Sequence, residues 1–144
     1  MIDRYSRPEM ANVWTNDNKF NQWLAVELAA CRAHVKLGNI PESAYQTIVK
    51  KARFSVERIE EIEAEVHHDV IAFLTCLAEH VGDDARYIHL GLTSSDVVDT
   101  ALSLLIQQAG RILLDGLDGL CSAIKTQAFK HKTTLMMGLS LIHI

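Results

Sequence analysis

"TSSDVVDTALSLLIQQAGRILLDGLDGLCSAIKTQA", residues 93 to 128, is the stretch whose reading decides the fold. Val98, Leu102, Leu105, Ala109, Leu113, Leu117, Leu120, Ile124 and Ala128 step by three or four without a lapse, which is the period of one helix face. The spacing predicts a helix of roughly 30 residues or more, about 45 Å at the α-helical rise. That exceeds what a globule of this size needs to cover itself, and no equally long apolar partner exists elsewhere in the chain. Gly110, Gly116 and Gly119 each cost about 1 kcal/mol relative to alanine inside a helix. They predict a close helix approach or a local break. The helix is therefore expected in a bundle whose other members lie in other chains or in a further C-terminal part.

Upstream the pattern is helical almost throughout, so the expected class is all-α. Phe20, Trp23, Leu24, Glu27/Leu28, Cys31 and Val35 mark one amphipathic helix. "NDN" at 16–18 offers its start, and Gly38 followed by Pro41 its stop. Pro41 suits the first position of a second helix carrying Ala44, Ile48 and Ala52. A third segment starts near Ser55, a suitable N-cap, and Ile59, Ile62, Val66, Val70, Phe73 and Leu77 keep helical spacing towards Gly82. Periodicity leaves open whether it is broken at His67 and His68. Residues 82–84 read as a turn, and 85–92 as a loop or short extended piece.

Composition narrows the class of function. Hydrophobic residues make up 49% of the 144 and charged residues 22%, ordinary values for a globular protein. A net charge of −4 argues against a nucleic-acid surface, yet leaves room for a small anion held by local donors. The three cysteines, Cys31, Cys76 and Cys121, lie far apart, so reduced thiols in a cytoplasmic protein are expected and no zinc pattern is present. The start, "MIDRYSRPEM", lacks a signal-peptide core, and no run approaches the roughly 18 consecutive apolar residues of a membrane span. No nucleic acid, membrane, metal or cofactor is expected.

Three polar clusters punctuate the helices. In "RYSRPEM", Arg4 and Arg7 flank Tyr5 and Ser6 just before Pro8, a natural first helical residue. A guanidinium beside a helix start suits a phosphate, although a solvated arm is the commoner outcome for such a pair. In "VHHDVIAF", adjacent histidines on a helix would point about 100° apart and would not share a metal. His68 beside Asp69 is either an oriented imidazole for proton transfer or part of an ordinary polar face, and the two readings weigh equally. In "HLGLTSSD", Thr93, Ser94, Ser95 and Asp96 crowd one helix start downstream of His89. One side-chain oxygen from Ser94 or Ser95 would cap a helix. Several hydroxyls and free N–H groups also make a seat for carboxylate or phosphate.

With "RYSRPEM", "HHDVIAF", "HLGLTSSDVVDTALS" and "HKTTLMMG" in this order and spacing, the sequence resembles the adenylosuccinate lyases of the fumarase/aspartase superfamily, from Met1 to about Gly138. The resemblance implies an all-α homotetramer around a central helical bundle, with each site drawn from three subunits and no cofactor. It implies β-elimination of fumarate from adenylosuccinate, giving AMP, and from the succinyl-carboxamide ribotide, giving AICAR. Carried over by motif, Arg4 and Tyr5 would contact the nucleotide, and His67, His68 and Asp69 would line the pocket, with His68 assisting the chemistry. Thr93 and Ser94 would bind the succinyl carboxylates with His89 close by. His67 departs from the family, where Arg or Lys is common, and Ser95 stands where Thr is common. The implied domains are an N-terminal helical domain over 1–92 and the first long helix of the central bundle domain, truncated, over 93–138.

After Gly138 the family continues with Arg, Ser or Thr, His and Gly, that His being its general acid. Here the chain reads "LSLIHI", placing Leu141 at the acid position and His143 two residues out of register. The loop that supplies the family's base is absent. Residues 139–144 match the translation of a transposon-type sequencing adapter and are expected to be a non-native tail. The chain thus reads as an N-terminal part of a lyase, inactive alone. The alternative is a non-catalytic helical nucleotide-binding or assembly module. A sister lyase acting on another fumarate adduct is disfavoured by "RYSRPEM", which suits a nucleotide.

Overall fold

The computed structural model describes residues 3–136 and is helical, with no strand among them. A short 3-10 turn at Asp3–Tyr5 precedes α1 (Pro8–Val13), α2 (Asn16–Lys36), α3 (Glu42–Lys51), α4 (Val56–Val66) and α5 (Asp69–Val81). A 3-10 segment, Gly82–Tyr87, then leads to α6 (Ser94–Lys130). Residues 85–92, expected as loop or extended chain, thus begin inside a 3-10 turn rather than a strand. Leu141, expected from the resemblance at the general-acid position, and the tail at 139–144 lie outside the described residues.

The ends of the helices follow from local chemistry. Thr15 caps α2, its hydroxyl accepting from the Asn18 N–H at 3.3 Å, and Ser55 caps α4 in the same way through Arg58 N–H at 3.3 Å. Pro8 occupies the first turn of α1, where its missing N–H costs nothing. Pro41 lies one position earlier than expected, as the N-cap residue of α3. Gly38, at φ +77°, lies just past the end of α2, in a conformation that costs glycine little.

The chain divides into two compact units, Met1–Ala109 and Gly110–Ile144. In the first, one buried cluster gathers Phe20 and Trp23 of α2, Ile59 and Ile62 of α4, Val70, Phe73 and Leu77 of α5, and Val97 and Ala101 of α6. Phe73 is its hub: it stacks on Phe20 at 5.6 Å and meets Trp23 edge-on at 5.5 Å. Phe54 joins from the α3–α4 connection, 6.1 Å from Phe73. A second cluster packs Cys31 of α2 and Ile40 against Ala44 and Ile48 of α3 and Val81 at the end of α5.

α6 has 37 residues, roughly 55 Å of helix. Its buried face differs from the expected one. Val97, Ala101, Leu105 and Ala109 are buried, a strict i+4 ridge, while Leu102 is exposed and Val98 half-buried. The second unit is described by itself: from Leu113 to Met136 every described side chain is exposed, including Leu113, Leu117, Leu120 and Ile124. Gly110, Gly116 and Gly119 do not break the helix, and a Cβ at each would meet nothing within 4 Å. By length and composition alone α6 could cross a membrane. Gln107, Gln108, Arg111, Asp115 and Asp118 interrupt its apolar surface, however, which is the pattern of a bundle helix.

No disulfide links the three cysteines: Cys31 and Cys76 are buried and Cys121 is exposed. Burial and the nearby Glu27 charge push the Cys31 thiol up to about 11. The native chain is therefore expected to show one fast thiol with Ellman's reagent, lost in Cys121→Ser, and two that react only on unfolding. The sign of the linked stability change follows. Between the ordinary thiol value of 9.0 and about 11 the unfolded chain releases the Cys31 proton that the folded chain keeps. Stability contributed by Cys31 is then full below that window and falls as pH rises through it.

Candidate functional site

The α4–α5 corner is built by the two histidines themselves. His67 adopts φ 54°, a left-handed conformation that ends α4. His68 is then the N-cap of α5, its Nδ1 accepting from the Ile71 N–H at 3.4 Å. The adjacent histidines therefore do not share one continuous helix, and the question left open by periodicity resolves as a break. With Nδ1 accepting, Nε2 carries the proton of the neutral ring and is its one N–H donor. Asp69 contributes less to this orientation than expected. Its Oδ1 lies 3.6 Å from His68 Nδ1 but accepts the Val70 N–H at 2.7 Å.

Arg58, in the first turn of α4, ties the helix pair together at the end away from this corner, forking onto Glu79 of α5 at 2.7–3.2 Å and reaching Glu61 at 2.9 Å. That hydrogen bonding from Arg58 holds the Glu79 carboxyl below its usual range. Both groups are solvated, so the brace matters for geometry more than for stability. His67 borders a shallow depression whose other polar groups are Glu60 and Glu63, a poor seat for an anion.

The third cluster is organised from α2. Glu27 is 1% exposed, and both of its carboxylate oxygens serve His89. Oε2 accepts the His89 backbone N–H at 2.9 Å and Oε1 the ring Nδ1–H at 2.6 Å. Two turns along α2, His34 Nε2–H donates to Leu90 O at 2.9 Å, while its Nδ1 accepts from Asn39 at 3.0 Å. His89 at φ 66° and Gly91 at φ +73° turn the chain into α6. A Gly91→Ala change is expected to cost about 1–2 kcal/mol through the left-handed backbone alone, because the nearest atom to a new Cβ is His34 Nε2 at 3.8 Å. Urea denaturation reads that loss.

At the start of α6 the cap is Thr93 rather than Ser94 or Ser95, since Ser94 is already helical. The Asp96 carboxylate accepts the Thr93 N–H at 2.8 Å, the return arm of a capping box. No hydrogen bond engages the hydroxyls of Thr93, Ser94 or Ser95 among the described residues. Thr93 and Ser95 are exposed and Ser94 half-buried. Asp96 thus takes up the Thr93 N–H, and three hydroxyls remain over beside the first turn of α6. A shallow groove beside it is lined by Ala25, Val26 and Ala29 of α2 with Leu92, Asp96 and Thr100.

Arg4 and Tyr5 stand exposed in the first 3-10 turn, the guanidinium 4.8 Å over the phenol ring. No hydrogen bond or ion pair joins Arg4, Tyr5, His67, His68, Asp69, His89, Thr93 or Ser94 of one cluster to those of another among the described residues. What this chain presents is a set of partial walls. Among the described residues no three His, Cys, Asp or Glu side chains gather as a metal site. Sequence reasoning missed the roles of Glu27, His34 and Asn39. Only Glu27 carried a signal, as a carboxylate in an apolar stripe.

The described chain is thus an all-α unit followed by a long helix, with imidazole and hydroxyl groups at helix starts. Residues 3–140 match the Lyase family, and the chain belongs to it. The curated relatives it resembles are adenylosuccinate lyases. That of Aquifex aeolicus is 54% identical over 141 residues, 96% of this chain and 32% of that protein. That of Bacillus subtilis is 49% identical over 138 residues, again 96% of this chain and 32% of the relative. The chain spans about a third of the length of these relatives. A crystal structure of fumarate lyase from Mesorhizobium sp. shares the fold, with TM-score 0.87 and 24% identity over 95% of this chain and 33% of that one.

Proposed function

We propose that this chain is the N-terminal part of an adenylosuccinate lyase. The whole protein would release fumarate from adenylosuccinate and from the succinyl-carboxamide ribotide of purine synthesis. Residues 1–92 would form its N-terminal domain and 93–138 the start of the central bundle. The observation that carries the reading is the start of α6, where hydroxyls that take no part in capping stand at a helix N-terminus close in sequence to His89. Such a terminus suits carboxylate, and the succinyl moiety carries two.

In the elimination a base removes the proton beside a carboxylate, the electrons of that C–H bond pass into a charge-delocalised carbanion, and the C–N bond then breaks as nitrogen takes a proton. Preorganised donors lower the barrier by meeting the developing negative charge without reorganisation. Thr93 and Ser94 would hold the carboxylates, Arg4 and Tyr5 the nucleotide, and the Nε2–H of His68 would donate towards the reacting end. His67 and Asp69 would line the same pocket.

The exposed apolar ridge of α6 favours assembly into a homotetramer, in which other subunits complete each site, and purine synthesis points to the cytoplasm. The rival reading is a helical module that binds a nucleotide without turning it over. Sequencing the source gene past the codon for Gly138 separates them. An open frame continuing Arg-Ser/Thr-His-Gly supports the lyase, whereas a stop after Ile144 favours the module.

A further inference from the structure

We infer that Glu27 is a positioning residue, which fixes the orientation and tautomer of His89 so that its Nε2 faces the anion site; the inference rests on the lyase reading above. Glu27 falls on the core face of α2, in register with Phe20, Trp23 and Cys31, where spacing asks for an apolar side chain. A buried carboxylate is costly unless it is hydrogen-bonded. Both hydrogen bonds formed by this one go to a single residue, at 2.9 and 2.6 Å, and no Lys or Arg pairs with it among the described residues.

That arrangement does more than anchor a loop. A glutamine at position 27 offers one acceptor oxygen and puts an NH2 donor in place of the other, so it could not reproduce the grip in which separate oxygens take the His89 N–H and the ring N–H. A carboxylate can, and it thereby forces the Nδ1–H form on the neutral ring. Nε2 is then the atom left to meet a ligand, either as acceptor or, once protonated, as a second donor. The backbone supports the same conclusion. His89 is a non-glycine at φ 66°, and Glu27 and His34 of one helix grip consecutive residues 89 and 90. α2 is itself fixed in both buried clusters, which makes it a rigid support for the loop. His68 receives its opposite tautomer from a backbone N–H, so the two histidines present different Nε2 chemistry.

Two measurements test this. In the present chain, long-range 15N–1H correlation spectra of the imidazoles, taken where His89 is neutral, should show it in the Nδ1–H form. Free histidine favours Nε2–H, and Glu27→Gln should move His89 towards that form. Wild-type His89 in the Nε2–H form overturns the inference without recourse to a variant, which covers the case of a Glu27→Gln chain that fails to fold. In the complete enzyme, Glu27→Gln should raise KM for adenylosuccinate roughly tenfold to a hundredfold with a smaller change in kcat, the loss of a charge-assisted contact. An active wild type whose Glu27→Gln variant keeps KM within about twofold also overturns it. A complete wild type that releases no fumarate removes the lyase reading instead, and the tautomer in this chain then decides the role of Glu27 alone.

Discussion

Phe73→Ala is expected to destabilise the first unit by about 3–5 kcal/mol, the cost of emptying a fully enclosed aromatic site. Phe73 is 0% exposed and its ring meets those of Phe20, Trp23 and Phe54. These rings come from α2, the α3–α4 connection and α5, so no single side chain can relax into the void without moving a helix. A small domain has about 5–15 kcal/mol in total, so the loss is a large share of it and the urea midpoint should fall markedly. Circular dichroism during urea titration reads this directly. Leu113→Ala provides the contrast: the side chain is 60% exposed, and its loss should change stability by only about 0.5 kcal/mol. A Phe73→Ala loss under about 1 kcal/mol would mean that the aromatic cluster is not the core.

The second large effect concerns chemistry. In the complete protein, replacing His68 should lower fumarate release by about 10²–10⁴, the range for a positioned proton-transfer group. The choice of variant matters because His68 also caps α5 through Nδ1. His68→Ala would remove both functions, and cap loss alone costs about 1 kcal/mol. His68→Asn keeps a strong N-cap residue and deletes only the imidazole. The expected result is near-native melting with the same collapse in turnover. Turnover within a few fold of wild type in His68→Asn would reduce His68 to a structural cap.

How much of this was legible in the sequence depends on the residue. The longer helices announced themselves because they bury stripes at spacing three or four, and Ser55 and Pro8 mark starts by ordinary capping chemistry, whereas the cap of α2 is Thr15, one residue before the "NDN" that signalled its start. The break at His67 left no such mark: a left-handed histidine stands where glycine or asparagine would have been the visible signal. The apolar residues of α6 cover so wide an arc that Val98 and Leu102 looked as good as Val97 and Ala101. Neighbouring helices chose between them. The glycines of α6 meet open space in this chain, so their spacing alone did not decide between a break and a close approach.

The candidate site was legible as residue types and not as geometry. Hydroxyls at a helix start and a histidine pair are visible in one dimension. That Asp96 engages the Thr93 N–H while the hydroxyls of Thr93, Ser94 and Ser95 stay unengaged is a matter of local backbone. The grip of Glu27 on His89 spans 62 positions and had only one trace, a charge in an apolar stripe.

The most direct test of the central claim is fumarate release from adenylosuccinate, measured side by side for the protein encoded by the complete reading frame and for this 144-residue chain. The account predicts fumarate and AMP in equal amounts from the complete protein and none from the chain alone. Nucleotide binding without fumarate from the complete protein would contradict it and leave a helical binding module in its place.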